Sequence, residues 1–97
     1  MANLKAETIE AIDGRTIAFA EISDSCKCRQ IFLSKKHNKE DVESFLNDLD
    51  FNYDSGFGSQ NIYGYIAFTD GTWITRADYD GIEWWENHKY PNPDDTI

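Results

Sequence analysis

An apolar stripe at helical spacing lies in the middle of the chain. Its positions follow one another at i, i+3, i+4 and i+7, the spacing that gathers side chains on one face of an α-helix. The stripe consists of Val42, Phe45, Leu46 and Leu49. Asn38 stands where a side chain can cap the helix N-terminus, and Glu40 and Asp41 follow where the helix dipole favours acids. The pattern predicts one amphipathic helix over about residues 39–50 that packs its stripe on a sheet.

Two Asp-Gly pairs between apolar segments predict β-hairpins, because Asp-Gly is a strong signal for a two-residue turn. The first pair, Asp13-Gly14, would join residues 8–12 to a strand over residues 15–22. The residues before this turn could equally form a short helix that ends at Gly14, so both alternatives stay open. Residues 29–33 are typical of a third, shorter strand.

The second pair, Asp70-Gly71, would join strands over residues 60–69 and 72–77. A two-residue turn places Phe68 opposite Trp73, and strand alternation then assigns every side chain to a face. The face predicted to lie under the helix carries Ile62, Ile66, Phe68 and Trp73. The opposite face carries Tyr63, Tyr65, Ile74 and Arg76. This second face is too apolar for ordinary surface, so either the C-terminal tail covers it or it is a contact patch.

The segment over residues 78–90 interleaves large aromatic side chains with acids. These are Tyr79, Trp84, Trp85 and Tyr90 with Asp78, Asp80, Glu83 and Glu86. Tryptophan and tyrosine dominate hot spots of protein interfaces, and carboxylates around them add steering and specificity. Trp84 and Trp85 cannot both face inward on one strand, so at least one should be exposed. The plainer interpretation is that one of them closes the end of the sheet.

These elements together predict an α+β fold in a single small domain over residues 1–97. It would contain an antiparallel sheet of about four to five strands, with two Asp-Gly hairpins, packed on one amphipathic helix. Pro91 and Pro93 would end regular structure, and residues 91–97 should fray. No apolar run approaches the roughly 18 residues of a membrane span. We therefore expect a soluble, cytoplasmic protein with no membrane partner.

The net charge of -9 is unevenly distributed along the chain. Residues 1–37 hold five acids and six bases, whereas residues 38–97 hold thirteen acids against Lys39, Arg76 and Lys89. Direct binding of nucleic acid is not expected, because phosphate contacts need a basic surface. The excess could serve solubility alone. Its concentration around aromatic residues favours an acidic surface that binds a protein.

The sequence contains few candidates for catalysis or metal binding. A bridge between Cys26 and Cys28 would be strained, and only His37 and His88 could join them in a zinc site. We expect reduced thiols, no metal and no cofactor. The histidines lie outside any recognisable catalytic triad, and 97 residues leave little room for a substrate cleft. An enzyme is therefore not predicted.

The stretch from Asp70 to Glu86, DGTWITRADYDGIEWWE, resembles a signature of small uncharacterised proteins of phages and prophages in Gram-negative bacteria. In those proteins, as here, it follows a segment similar to LDFNYDSGFG, which occupies residues 49–58. The resemblance covers about the C-terminal half of the chain, and residues 1–37 do not match. It brings no established activity. It implies a phage accessory protein that acts in the cytoplasm of a bacterial host cell.

Charge and context together predict a protein that binds and inhibits a host protein. An acidic face can occupy a site built for DNA or RNA, so anti-CRISPR, antirestriction and host-takeover roles all fit. The partner would be a host protein such as a DNA- or RNA-binding enzyme, and the chain itself a monomer or a weak homodimer. The predicted partner-binding residues are Asp41, Glu43, Asp48, Asp54, Tyr65, Arg76, Asp78, Tyr79, Asp80, Glu83, Trp84, Trp85 and Glu86.

The competing hypothesis is a structural or self-associating phage module. Two copies would pair through the sheet face that carries Tyr63, Tyr65 and Ile74. A third hypothesis is that a small basic cluster contacts an acidic partner locally; it consists of Lys27, Arg29, Lys35 and Lys36.

Overall fold

The computed structural model describes residues 2–25, 29–53 and 60–89. In these residues, two helices lie on one face of a five-stranded antiparallel sheet. The elements in chain order are β1 (Ala2–Asn3), α1 (Leu4–Ile12), β2 (Ile17–Asp24), β3 (Gln30–Leu33), α2 (Lys39–Asp48), β4 (Asn52–Tyr53), β5 (Ile62–Phe68), β6 (Thr72–Tyr79) and β7 (Ile82–Lys89). The sheet order is β3-β2-β5-β6-β7, and β1 pairs separately with β4. The α+β class and the antiparallel sheet predicted from the sequence are confirmed.

The helix predicted over residues 39–50 is α2. Its N-terminus is a capping box: the Asp41 N–H donates to the Asn38 side chain (2.9 Å), and the Asn38 N–H donates to the Asp41 carboxylate (3.1 Å). Phe45 and Leu49 of the predicted stripe are buried in the core. The local signals for this helix therefore agree with its tertiary packing.

The residues before Asp13-Gly14 form a helix, which decides between the two alternatives that the sequence left open at this turn. Asp13 (φ 50°) and Gly14 (φ 77°) both adopt left-handed backbone conformations, which suit a helix C-terminus as well as a hairpin turn. Side chains at i, i+4 and i+8 decide for the helix because all three are buried: Leu4, Thr8 and Ile12.

Arg15 joins the C-terminal end of α1 to the sheet. Its guanidinium donates to the carbonyl oxygens of Ala11 (2.7 Å) and Ile12 (3.0 Å), which the end of the helix leaves without helical partners. It also donates to Thr72 Oγ1 (3.1 Å) on β6 and to Asn87 Oδ1 (2.8 Å) on β7. One side chain therefore docks the end of α1 onto the last hairpin.

The turn between β5 and β6 has three residues instead of the predicted two. Gly71 (φ 87°) donates its N–H to the Phe68 carbonyl (3.3 Å), as in a type I turn followed by a glycine bulge. Ala67 consequently lies opposite Trp73. The predicted pairing of Phe68 with Trp73 is wrong by one residue.

This shift in register turns every side chain of β6 to the other face of the sheet. Ile74 lies opposite Ile66 and is fully buried under the helices, and Arg76 is buried on the same face. Trp73, predicted for the core, points to the opposite face with Thr75. The predicted faces of Trp73, Ile74 and Arg76 are therefore exchanged.

A second Asp-Gly hairpin forms at Asp80-Gly81 and adds β7 to the sheet. Tyr79 lies opposite Ile82, and both turn residues have positive φ (53° and 86°), as a type I′ turn requires. Residues 91–97, expected to fray, lie outside the described residues.

The sheet therefore has two unlike faces. Its inner face, covered by α1 and α2, supplies most of the core: Ile17, Ala20, Ile22, Ile31, Leu33, Ile62, Ile66, Phe68, Ile74 and Trp85. Its outer face carries the alternate side chains and is covered by none of the described helices and strands. The two described helices have nine and ten residues, and neither is long and apolar enough to cross a bilayer.

Candidate functional site

The outer face of the sheet collects the exposed apolar side chains of the described residues. Seven large apolar side chains are exposed among the described residues. Strand alternation places six of them on the outer face: Phe32, Tyr63, Tyr65, Tyr79, Ile82 and Trp84. Their exposure ranges from 37% for Tyr65 to 75% for Tyr79. Such a concentration of apolar surface on one face is typical of an interaction site.

Two acidic side chains stand among these aromatic residues. The pairing of the five strands aligns one row across the outer face: Phe32, Glu21, Tyr65, Thr75 and Glu86. Glu21 and Glu86 are three strands apart, or roughly 14 Å at the usual strand spacing. Both are exposed, and within the described residues neither carboxylate has a hydrogen bond or an ion pair. Both charges are therefore available to a partner.

Aromatic contacts hold the neighbouring row of side chains in place. The rings of Trp73 and His88 are stacked, with centroids 5.6 Å apart, and His88 Nε2 lies 2.7 Å from Thr75 Oγ1. The Phe19 ring meets Tyr65 edge-on at 6.0 Å. Ala67 lies between Phe19 and Trp73 on the paired strands, and all three residues line an open depression of about 370 Å³. The outer face therefore carries packed aromatic rings around an open depression.

Arg76, predicted as a partner-binding residue, is buried in a polar network on the inner face. Its Nη1 lies 2.6 Å from Glu7 Oε1 on α1, and its Nη2 donates to Tyr53 Oη (2.9 Å) on β4. The same Nη2 lies 3.5 Å from Glu83 Oε1 on β7. Tyr53 in turn donates to Glu7 Oε2 (2.6 Å). The network joins α1, β4 and the last hairpin, so Arg76 stabilises the fold and is withdrawn from the surface.

Glu83 and Trp85, also predicted as partner-binding residues, belong to the same buried region. The Glu83 carboxylate accepts the backbone N–H groups of Asn61 and Ile62, both at 2.9 Å, and so holds the start of β5. Trp85 Nε1 donates to Thr8 Oγ1 (2.9 Å), a hydroxyl that is fully buried on α1. Their prediction as surface residues is wrong, because β7 turns odd-numbered side chains toward the helices.

The network shifts the pKa values of two of its members. Burial raises the pKa of Tyr53 to about 12, and the hydrogen bond to Glu7 acts in the same direction, while Arg76 opposes both. Burial lowers the pKa of Arg76, but its hydrogen bonds to Glu7 and Tyr53 outweigh this effect and the net direction is upward. The phenol therefore stays neutral and the guanidinium charged at any ordinary pH.

The remaining predicted residues fall into separate places. Tyr65, Tyr79, Trp84 and Glu86 lie on the outer face. Asp78 and Asp80 are exposed at the β6–β7 turn. Asp41, Glu43 and Asp48 are exposed on α2, which packs on the inner face, and Asp54 lies outside the described residues. The structure thus divides the predicted acidic surface between the two sides of the sheet.

Several residues of the outer face were missed by the sequence reasoning. They are Phe19, Glu21, Phe32, Trp73 and Ile82. The alternation in β2, where Ala20 and Ile22 face the core, was a sufficient signal for Phe19 and Glu21. Trp73 could not be found, because its face depends on the length of one turn.

Neither the cleft beside Arg15 nor the metal-ligating residue types provide a second candidate site among the described residues. A cleft of about 540 Å³ opens beside Arg15, but that guanidinium already donates to four acceptors. Among residues 2–25, 29–53 and 60–89, no group of three or more histidine, cysteine or acidic side chains could hold a metal ion. Cys26 and Cys28 lie outside these ranges.

Fold and surface together define an α+β domain with one sheet face covered by helices and one open aromatic face bearing acids. No protein-family model matches the chain, and neither a curated protein nor a solved structure does so. The function is therefore argued from the surface itself.

Proposed function

We propose that this chain is a small acidic accessory protein that binds and inhibits a host protein, and that the outer face is its binding surface. The observation that carries the proposal is the collection of six exposed apolar side chains on that face, around two carboxylates that have no ion pair among the described residues. Large aromatic side chains are the usual anchors of protein interfaces, and charges beside them select the partner.

The charges of the outer face support a protein partner over a nucleic acid. Aromatic residues on an open sheet can stack on bases, but single-stranded nucleic acid also requires a positively charged groove. Here Glu21 and Glu86 lie among the aromatic residues, and the whole chain carries a net charge of -9. A basic protein surface, such as one that normally holds DNA or RNA, is the complementary partner.

The stretch that resembles phage proteins supplies much of this surface. Strand alternation sends Trp73, Trp84 and Glu86 of that stretch to the outer face, while Arg76 and Trp85 enter the buried network. The resemblance supports a phage context, in which the protein acts in the host cytoplasm as a monomer or a weak homodimer. Anti-CRISPR, antirestriction and host-takeover roles remain within the proposal.

Affinity capture from a bacterial host lysate tests this function. The wild-type chain should retain a DNA- or RNA-handling enzyme and reduce its activity on nucleic acid. Trp84→Ala should lose at least about tenfold in affinity, the effect of an interface hot spot. The matched control is Glu40→Ala on α2, an exposed acid outside the predicted partner-binding set, which should bind like wild type. Binding should weaken at high salt, because exposed charges are screened.

Equal capture by Trp84→Ala and wild type would contradict the proposal, as would binding that is indifferent to salt. The other occupant to exclude is a second copy of the chain, paired through the same face. Of the residues predicted for such pairing, Tyr63 and Tyr65 are exposed but Ile74 is fully buried. Sedimentation equilibrium decides this point. If the chain is a monomer at high concentration, the hypothesis of a self-associating module is excluded.

A further inference from the structure

A cleft of about 310 Å³ opens on the outer face at its β3 edge. Three aromatic rings line it, those of Phe19, Phe32 and Tyr65, and so does the side chain of Glu21. Phe32 and Tyr65 are exposed, so both rings offer surface to solvent. The cleft therefore combines aromatic faces with a carboxylate.

The strand register places Glu21 between the two exposed rings of this cleft. Glu21 lies directly opposite Phe32 on β3 and directly opposite Tyr65 on β5. Side chains at directly paired positions have Cβ atoms about 4.5–5.5 Å apart, so both rings are within reach of whatever the carboxylate binds. Glu21 has no ion-pair partner within the described part of the chain. The Glu21 carboxylate therefore lines an aromatic cleft without forming an ion pair to any described residue.

A cation of the chain itself already lies at the side of the cleft. The Lys35 ammonium is 5.2 Å from the centroid of the Phe19 ring, within the distance at which an aromatic face attracts a cation. Lys35 reaches Phe19 but forms no ion pair with Glu21 in the structure. The cleft thus has one cation beside Phe19, while the Glu21 carboxylate between Phe32 and Tyr65 has no ion pair among the described residues.

We propose that this cleft accepts a cationic side chain, an arginine, presented by the basic surface of the partner protein. A guanidinium can stack on the Tyr65 ring while it donates hydrogen bonds to the Glu21 carboxylate, and its planar shape suits both contacts better than an ammonium does. Lys35 competes with the incoming cation in two ways: its charge repels the guanidinium, and its ammonium already lies against the face of the Phe19 ring. The inference rests on the proposed function, because it names what the outer face recognises in its partner.

A blocked arginine, N-acetyl-arginine N-methylamide, tests the cleft without the partner. Titrated into the ¹⁵N-labelled full chain, it should shift the amide signals of Glu21, Phe32 and Tyr65, whereas the neutral citrulline analogue should not. Glu21→Gln should weaken binding of the arginine probe about three- to fivefold, in line with exposed cation–π and charge contacts. Lys35→Met should strengthen it about twofold, because a competing cation is removed. Glu40→Gln, exposed on α2 and outside the predicted partner-binding set, is the control and should leave the affinity unchanged.

Equal binding of citrulline and arginine would overturn the inference, as would unchanged affinity in Glu21→Gln or weaker binding in Lys35→Met. The same variants also separate this inference from the proposed function. If Trp84→Ala loses the captured partner while Glu21→Gln keeps both partner and probe, the outer face remains the binding surface and the arginine cleft is wrong. If the probe binds as expected but no variant of the outer face affects capture, the proposed function is wrong instead.

Discussion

Arg76 on β6 and Glu7 on α1 form an ion pair with Nη1 and Oε1 2.6 Å apart, although they are 69 positions apart in the chain. The Arg76 side chain is 1% exposed and that of Glu83, its second acidic neighbour, is 0% exposed. The pair locks the N-terminal helix to the hairpin that builds the outer face. The surface proposed to bind a partner therefore depends on a buried network on the other side of the sheet.

Arg76→Ala should destabilise the fold by about 3–5 kcal/mol, because it leaves the buried Glu83 charge without its cation. Arg76→Lys should recover only part of this loss, since an ammonium cannot reproduce the fork that contacts Glu7 and Tyr53 together. Urea unfolding measures both variants. Lys36→Ala, which removes an exposed cation, is the control and should change stability by less than about 0.5 kcal/mol.

The two adjacent tryptophans should respond in opposite ways to substitution. Trp85 is 8% exposed and donates to Thr8, so Trp85→Ala should cost about 3–5 kcal/mol of stability. Trp84 is 39% exposed on the outer face, and Trp84→Ala should cost under about 1 kcal/mol while it weakens partner binding at least about tenfold. Thermal unfolding of both variants, together with capture of the partner from host lysate, checks these two expectations. Equal destabilisation by both substitutions would contradict the assignment of the two faces.

Stability should fall at alkaline pH through Tyr53. Its pKa is raised from 10.0 to about 12 in the fold, so its contribution is complete below pH 10 and is lost as the pH rises toward 12. Tyr53→Phe lacks this ionisation. The stability difference between wild type and Tyr53→Phe should shrink by up to about 1.4 kcal/mol per pH unit in this window. Urea unfolding at several pH values measures it, and a constant difference would argue against a buried, neutral phenol.

Gly64 in β5 should not tolerate a side chain. It has φ 140°, and a Cβ atom there would collide with the backbone of Glu21 and Ile22 on β2. Gly64→Ala should therefore cost about 3 kcal/mol or more. Gly14 also has positive φ, but a Cβ there would meet no atom within 4 Å, so Gly14→Ala should cost only about 1–2 kcal/mol. Urea unfolding of both variants measures the two losses of stability. Their difference gives the cost of the Cβ collision at Gly64 beyond that of the positive φ, which both glycines share.

The elements differ in how far local sequence predicts them. For α2, the apolar stripe and the Asn38 cap lie within twelve residues, and the structure follows both. At Asp13-Gly14 the same dipeptide suits a helix end and a hairpin turn, and burial of Leu4, Thr8 and Ile12 against the sheet decides between them. Local patterns are therefore reliable where propensity and packing agree.

The register of β6 against β5 could not be predicted from the local sequence. One hydrogen bond, from the Gly71 N–H to the Phe68 carbonyl, closes a three-residue loop where a two-residue loop was predicted. Strand side chains alternate with a period of two, so this single residue exchanges the faces of Trp73 and Ile74. The candidate site changes with it, since Arg76 enters the core and Trp73 joins the outer face.

The sequence by itself determined the α+β class, the amphipathic helix α2 and an acidic, aromatic C-terminal half, because periodicity, capping and composition are local properties. Only the tertiary structure decided which of those acids and aromatic residues form a surface. Glu83 and Trp85 are buried by contacts with Ile62 and Thr8, which are distant in the chain. Glu21 and Glu86 come onto one face because antiparallel pairing brings β2 and β7 into one sheet. Contacts between residues far apart in sequence carry that information.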